Sequence, residues 1–380
     1  MKNRDLAYYP TGYQDSRNRF QTSCRALGEF GSWPVPSSAD QDLFADYFYL
    51  PASESPERLF LMISGVHGLE AYTGCGIQQL FINEFLPQFD RRKNGLLLVH
   101  SLNPFGFKHH RRSTENGINL NRNCSIHSDL YQIKNSASLE ISQRFIPREP
   151  VKSLKSYMLT RMKVLGHEVF FDDLSMDEIV KHVGKGQFES RDGLEFGGHQ
   201  PEPQIAALIR KLKEIAPDYR DLILFDLHTG LGDRGRLHLL RGDHERGIHL
   251  DLFKELLRPD KDKAIYDYTP TEVSGFYRTH GATNDLFPEL ATDRQRCCTL
   301  TLEFGTIGHS LEAQIDSLNR WVLEHQGSLF GYADPHLEKE IKDSYLERFF
   351  PSQEDWRLSI IETSRAFFAA VMGRAGALTP

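Results

Sequence analysis

Leu222-Ile223-Leu224-Phe225-Asp226-Leu227-His228-Thr229-Gly230 is the stretch that decides how this chain folds. Its four uninterrupted apolar residues read as a strand buried on both faces, and the run turns polar at its end, just before a glycine. Three further runs share this character: Leu59-Phe60-Leu61-Met62-Ile63, Leu96-Leu97-Leu98-Val99 and Cys298-Thr299-Leu300-Thr301-Leu302. Between them, Ile77, Leu80, Phe81 and Phe85 repeat at helical spacing, as do Ile205, Leu208, Ile209 and Leu212 after the helix-starting Pro201-Glu202-Pro203. Strands alternating with helices predict an α/β sheet covered on both faces.

Working outward, the 380 residues carry 39% hydrophobic side chains, and no Gly/Ser or Pro-rich linker divides them. We therefore expect one domain over residues 1–380. Residues 135–198 break the strand–helix rhythm with Lys-rich helical segments and end in Gly184-Lys185-Gly186-Gln187 and Gly197-Gly198, which reads as a mainly helical insertion or lid. From Ser310 onward the chain reads as helical, with Phe367, Phe368 and Val371 on one stripe of the last helix.

The 45 basic and 52 acidic side chains leave a formal net charge of −7, which argues against a general affinity for nucleic acid or an anionic membrane. No apolar run approaches the ~20 residues of a membrane span, and the polar start Met1-Lys2-Asn3-Arg4-Asp5 points to the cytoplasm. Five cysteines without a C-x-x-C pair fit neither a disulfide framework nor a thiolate zinc site, and bridging the neighbours Cys297 and Cys298 would be strained.

Chemistry gathers where strands end. Ser64-Gly65-Val66-His67-Gly68-Leu69-Glu70 follows the run ending at Ile63 and offers an imidazole and a carboxylate three residues apart. Such a pair can converge on one Zn²⁺, but His-x-x-Glu is common by chance and needs a third ligand. His228, near the end of its own strand, faces the same sheet edge and completes a His₂Glu set with an open fourth position, the arrangement of a catalytic zinc site. Asp226, two residues earlier and on the same strand face, suits a hydrogen-bonding role behind the ligands. Glu303 ends another strand before Gly305, placed to take a proton from water attacking a carbonyl. Asn103-Pro104-Phe105-Gly106-Phe107 and the loop Arg111 to Asn123 add arginines suited to binding a carboxylate or polarising a carbonyl.

Together, His67-x-x-Glu70, Asn103-Pro104-x-Gly106, Arg112, Asn121-Arg122-Asn123, Asp226-Leu227-His228 and Leu302-Glu303-Phe304-Gly305 resemble the zinc carboxypeptidase superfamily of carboxypeptidase A and aspartoacylase type. In detail the chain is similar, over roughly residues 10–375, to a mainly bacterial branch catalogued as a domain of unknown function. That branch is marked by Gly-x-His-Gly-x-Glu, Asn-Pro-x-Gly-Phe, Arg-Arg-x-Thr-Glu, Asp-Leu-His-Thr-Gly-Leu-Gly and Leu-Glu-Phe-Gly-Thr. The resemblance implies a single mixed β-sheet with helices on both faces, the phosphorylase/hydrolase-like fold. It implies one Zn²⁺ per chain on His67, Glu70 and His228, with Glu303 as general base and Arg112 polarising the scissile carbonyl. Asn121 and Arg122 would hold a substrate carboxylate, and Tyr277 stands at the spacing of the family's mobile tyrosine. One departure is Asn119, where the superfamily usually has an aspartate accepting from the first histidine.

The implied activity is hydrolysis of an amide beside a free carboxylate, in a small peptide or, alternatively, an N-acyl amino acid. Two other classes compete: a binding protein that kept the fold, against which the intact ligand trio and Glu303 argue, and a dinucleotide-dependent oxidoreductase. The second rests on Gly230-Leu231-Gly232-Asp233-Arg234-Gly235, a G-x-G-x-x-G after a strand. A dinucleotide site needs a helix to open there, and Leu237-His238-Leu239-Leu240 reads as another strand.

Overall fold

The four apolar runs form four parallel strands side by side at the centre of one eight-stranded sheet. They are β3 (Arg58–Ser64), β4 (Asn94–His100), β5 (Asp221–Gly230) and β8 (Arg296–Gly305), and the order across the sheet is β1-β2-β4-β3-β5-β8-β6-β7. The computed structural model describes residues 2–155, 176–241, 248–269, 279–308 and 310–379. All ten residues of β5 and all seven of β4 are buried, as strands covered on both faces must be. On one face Phe225 packs on Phe367 and Phe368 of the final helix Glu354–Arg374.

Strands β1 (Glu29–Pro34) and β2 (Phe44–Leu50) extend one side, with β2 antiparallel to β4. On the other side β6 (Leu237–Arg241) runs antiparallel to β8 and parallel to β7 (Tyr266–Thr269). The mixed sheet is the one implied by the resemblance. Residues Leu231 to Arg236 form a turn that feeds β6 directly, so no helix opens after the G-x-G-x-x-G. Gly232 is needed there for a close approach, since a Cβ on it would stand 2.2 Å from the His238 ring.

Chain order reverses at β3: β4 lies on one side of it and β5 on the other, which opens a crevice beyond their carboxyl ends. Within 135–198, helices Ser136–Phe145 and Met176–Gly184 bury Ile141, Phe145, Ile179 and Val183 against Ile315, Leu318 and Val322 of helix Leu311–Phe330. The tail of this segment is tied to the 119–123 loop, with Asn119 N–H donating to the Phe196 carbonyl (2.8 Å) and Asn123 Nδ2 to that of Gly197 (2.7 Å). The five cysteines are buried free thiols. Among the described residues no helix is long and apolar enough to cross a membrane.

Candidate metal centre

The end of β3 leads through a turn into the short helix Gly68–Glu70 and then helix Ala71–Glu84. That turn is held by the Asn-Pro-x-Gly segment. Asn103 caps helix Pro104–His109, accepting from Gly106 N–H (2.9 Å), and its Nδ2 donates to the Arg112 carbonyl (3.1 Å). The same carbonyl accepts from Gly68 N–H (3.3 Å), and a Cβ on Gly68 would lie 2.0 Å from the Gly106 carbonyl carbon. The bare Gly68 therefore lets the two turns touch, and the contact fixes His67 and Glu70 over the crevice.

β5 brings His228 to the same point. The Glu70 carboxylate faces both rings, 2.8 Å from His67 Nδ1 through Oε1 and 2.8 Å from His228 Nδ1 through Oε2. The three residues are buried, and one ligand atom from each lies within 4.8 Å of the others. Partners on the far sides of the rings set the tautomers. His67 Nε2 lies 3.0 Å from Asn119 Oδ1, and that oxygen also accepts from Asn121 N–H (2.8 Å). His228 Nε2 lies 2.6 Å from Asp226 Oδ2, which accepts from the Thr283 hydroxyl as well. Arg112 NH1, which can only donate, stands 3.1 Å from His67 Nδ1, so this nitrogen is an acceptor and the ring proton sits on Nε2.

An acceptor nitrogen packed against a carboxylate is repulsive unless a cation lies between them. Arg112 NH1 also donates to Glu70 Oε1 (3.3 Å) and meets part of that need. The donor set, two imidazole Nδ1 atoms and one carboxylate with their backs hydrogen-bonded, fits Zn²⁺ with a position left for water. Burial alone lowers the His228 pKa, but the Asp226 and Glu70 carboxylates overcome it and hold the ring well above its ordinary value. His67, lacking a second carboxylate, is lowered to about 4 by burial and then by the Arg112 charge.

Glu303 of β8 is the register partner of His228 on β5, so the two side chains leave the same face of adjacent strands. Its Oε1 accepts from Leu231 N–H (2.8 Å). Burial first and the Glu70 charge second push its pKa up to about 7. A carboxylate poised near neutrality beside a metal-ligand set suits proton transfer.

The arginines are placed differently from expectation. Arg111 pairs with buried Glu324 (2.9 Å) and ties the loop to helix Leu311–Phe330. Arg112 reaches the trio with one arm while its Nε donates to Glu195 Oε1 (3.1 Å). Arg122 was expected to hold a substrate carboxylate with Asn121. It is only 2% exposed, and its Nε, NH1 and NH2 go to the carbonyls of Gly184 (2.9 Å) and Asn121 (2.7 Å) and to Glu195 Oε2 (2.6 Å). Asn121 Oδ1 is engaged too, accepting from Thr283 N–H (3.0 Å). The Arg122 fork is thus filled in this structure by the protein's own acceptors. Tyr277 lies outside the described residues.

Two residues were not singled out from the sequence. Glu195 is a buried carboxylate donated to the site by the 135–198 segment. Arg348, from helix Pro335–Phe349, approaches Gly230: a Cβ there would stand 3.1 Å from Arg348 NH1 and 3.6 Å from Glu303 Oε1. Arg348 bore no recognisable spacing to any motif.

The sequence profile of a family described as "Protein of unknown function (DUF2817)" matches residues 9–363. The chain belongs to this family. No curated protein matches the chain significantly. Solved structures that are similar include a metallo-carboxypeptidase from Pseudomonas aeruginosa in complex with (2-guanidinoethylmercapto)succinic acid. The two share 14% identity over 85% of this chain and 70% of that one, with a TM-score of 0.42. Bovine thrombin-activatable fibrinolysis inhibitor, in complex with tick carboxypeptidase inhibitor, shares 11% identity over 88% of this chain and 99% of its own, with a TM-score of 0.46. A protein from Shewanella frigidimarina, described as a candidate succinylglutamate desuccinylase/aspartoacylase, shares 16% identity over 80% of this chain and 73% of its own, with a TM-score of 0.38.

Proposed function

We propose that this member of the DUF2817 family is a zinc-dependent hydrolase of amide bonds. The observation that carries the reading is the convergence of His67, Glu70 and His228 beside Glu303, at the carboxyl ends of the neighbouring strands β3, β5 and β8. A zinc ion held by these three side chains supplies Lewis acidity and brings the pKa of water toward neutrality. Glu303 takes the proton from the attacking water and returns it to the leaving amine. Arg112, anchored through Nε by Glu195 and through NH1 by His67 and Glu70, sets its positive charge beside the carbonyl oxygen as negative charge develops there. Tyr277 is proposed as a further hydrogen-bond donor.

Substrates of the small-peptide or N-acyl-amide type suit this chemistry. A free carboxylate beside the cleaved bond was the sequence-based expectation, and it depends on an Arg122 fork open to the substrate. The test is hydrolysis by zinc-loaded protein of a mixed panel of acyl-amino acids and short peptides, each with free and with blocked carboxyl groups. Amine release that needs both zinc and Glu303 supports the proposal. Release that is unchanged in Glu303→Gln, or absent across the panel, refutes it.

A further inference from the structure

Glu195 stands where a clamp of the expected kind would receive its ligand. Its Oε2 accepts from Arg122 NH2 (2.6 Å) and Asn119 Nδ2 (2.6 Å), and its Oε1 accepts from Arg112 Nε (3.1 Å). These are planar donors in the arrangement that recognises a free carboxylate. The carboxyl group bound is the protein's own, delivered by the segment 135–198.

Its fit is a built feature. Glu195 has a backbone φ of 52°, a left-handed conformation that a side-chain-bearing residue adopts at a cost and that clusters at functional sites. Neighbouring backbone bonds hold it there. Gln187 N–H donates to the Glu195 carbonyl (3.2 Å), Gly197 N–H to the Gln187 carbonyl (2.8 Å), and Asn119 N–H to the Phe196 carbonyl (2.8 Å). Both arginines lower its pKa to about 2 against the opposing effect of burial. Ties of this kind belong to a fixed part of the wall, and they hold Glu195 against displacement by an incoming anion.

We propose that Glu195 is a specificity-determining residue, a resident carboxylate that fills the anion clamp of Arg112, Asn119 and Arg122, so that the substrate group lying against that wall is uncharged. This rests on the hydrolase reading for the word substrate, while the occupied clamp itself does not. The class of substrate is an amide whose leaving side carries a carboxamide, an ester or a further peptide unit in place of a free carboxylate.

The test removes the resident group and offers it back. Glu195→Gly suits the left-handed backbone and deletes a side chain equivalent to propionate. With zinc content matched, propionate should raise the Tm of this variant saturably, by about 3 °C at a hundredfold excess over its Kd, and leave the parent unmoved. A Tm rise of equal size in the parent overturns the proposal, because Glu195 would then be displaceable, and so does a folded Glu195→Gly protein that ignores propionate.

A second measurement needs no variant. On matched substrates ending in carboxylate or carboxamide, the parent should show kcat/KM values within about threefold of each other or favour the carboxamide. A preference for the free carboxylate beyond about 30-fold, the size of one charge-assisted clamp, overturns the proposal. The Tm measurement reads the clamp without turnover, so if the protein hydrolyses nothing the proposed function fails while the occupied clamp is still tested; the substrate comparison then decides specificity.

Discussion

Replacing Asn119 by aspartate restores the residue usual in the resembling superfamily, and the geometry makes it destabilising. Asn119 uses both ends of its amide, with Oδ1 accepting from His67 and Nδ2 donating to Glu195 at 2.6 Å. Asn119→Asp turns that donor into a second carboxylate oxygen against a buried one. Two charges about 3 Å apart repel by roughly 5 kcal/mol at an effective dielectric of about 20. Keeping a proton on the introduced aspartate, whose ordinary pKa is about 3.9, costs roughly 4 kcal/mol at pH 7, so protonation is the cheaper escape and sets the penalty. Its sign follows from linkage. The native state then holds one proton that the unfolded state releases, so the variant loses stability relative to the parent as pH rises, by about 1.4 kcal/mol per unit between pH 5 and 7. Urea unfolding of both proteins at pH 5, 6 and 7, at matched zinc, reads this slope. Adding Glu195→Gln to Asn119→Asp should abolish the slope, because an amide then faces the new carboxylate. A penalty that is flat with pH, or below about 1 kcal/mol at pH 7, would refute the contact and the reason for Asn119.

Metal analysis by mass spectrometry should find about one zinc in the parent and none in His67→Ala; full occupancy in the variant would remove His67 from the site. Asp226→Asn should weaken zinc binding by roughly 10- to 100-fold in competition with a chelator, since it neutralises the acceptor behind His228 Nε2; unchanged affinity would break that link. Glu303→Gln should fold and bind zinc while losing on the order of 10²–10⁴-fold in turnover. The raised pKa of Glu303 gives the parent an acidic limb, with kcat/KM rising as the base deprotonates at or below pH about 7, since bound zinc draws the value down. That limb should vanish in the variant's residual rate.

The central strands were legible because burial on both faces demands apolar runs: β3, β4 and β5 contain uninterrupted ones, and β8 alternates threonine with leucine. Two of the outer strands were hidden for the converse reason. β1 reads Glu29-Phe30-Gly31-Ser32-Trp33-Pro34 with partly exposed residues, and β7 is only four residues long. His67, Glu70, His228 and Glu303 were visible because each follows or ends a readable strand. Glu195 had no such address. It sits in a glycine-rich stretch within residues 135–198, remote in sequence from the arginines it binds, and its one trace was the amide at position 119.

That amide connects the departure in sequence to the chemistry. An aspartate behind His67 would place negative charge directly on the ring N–H. Here the charge sits one hydrogen bond further out, on Glu195, and reaches the ring through the amide: Glu195 Oε2 accepts from Asn119 Nδ2, and Asn119 Oδ1 accepts from His67 Nε2. Hydrogen bonds in such a chain polarise one another, by an estimated 10–30% per bond, so the neutral amide becomes a stronger acceptor than it would be alone. The same carboxylate also balances the charges of Arg112 and Arg122 beside a cation site. A carboxylate at 119 as well would overfill the pocket with negative charge, and removing Glu195 would leave the arginines opposing the metal. Asn119 and Glu195 are therefore one device, and either substituted alone should cost more in zinc affinity than the two exchanged together.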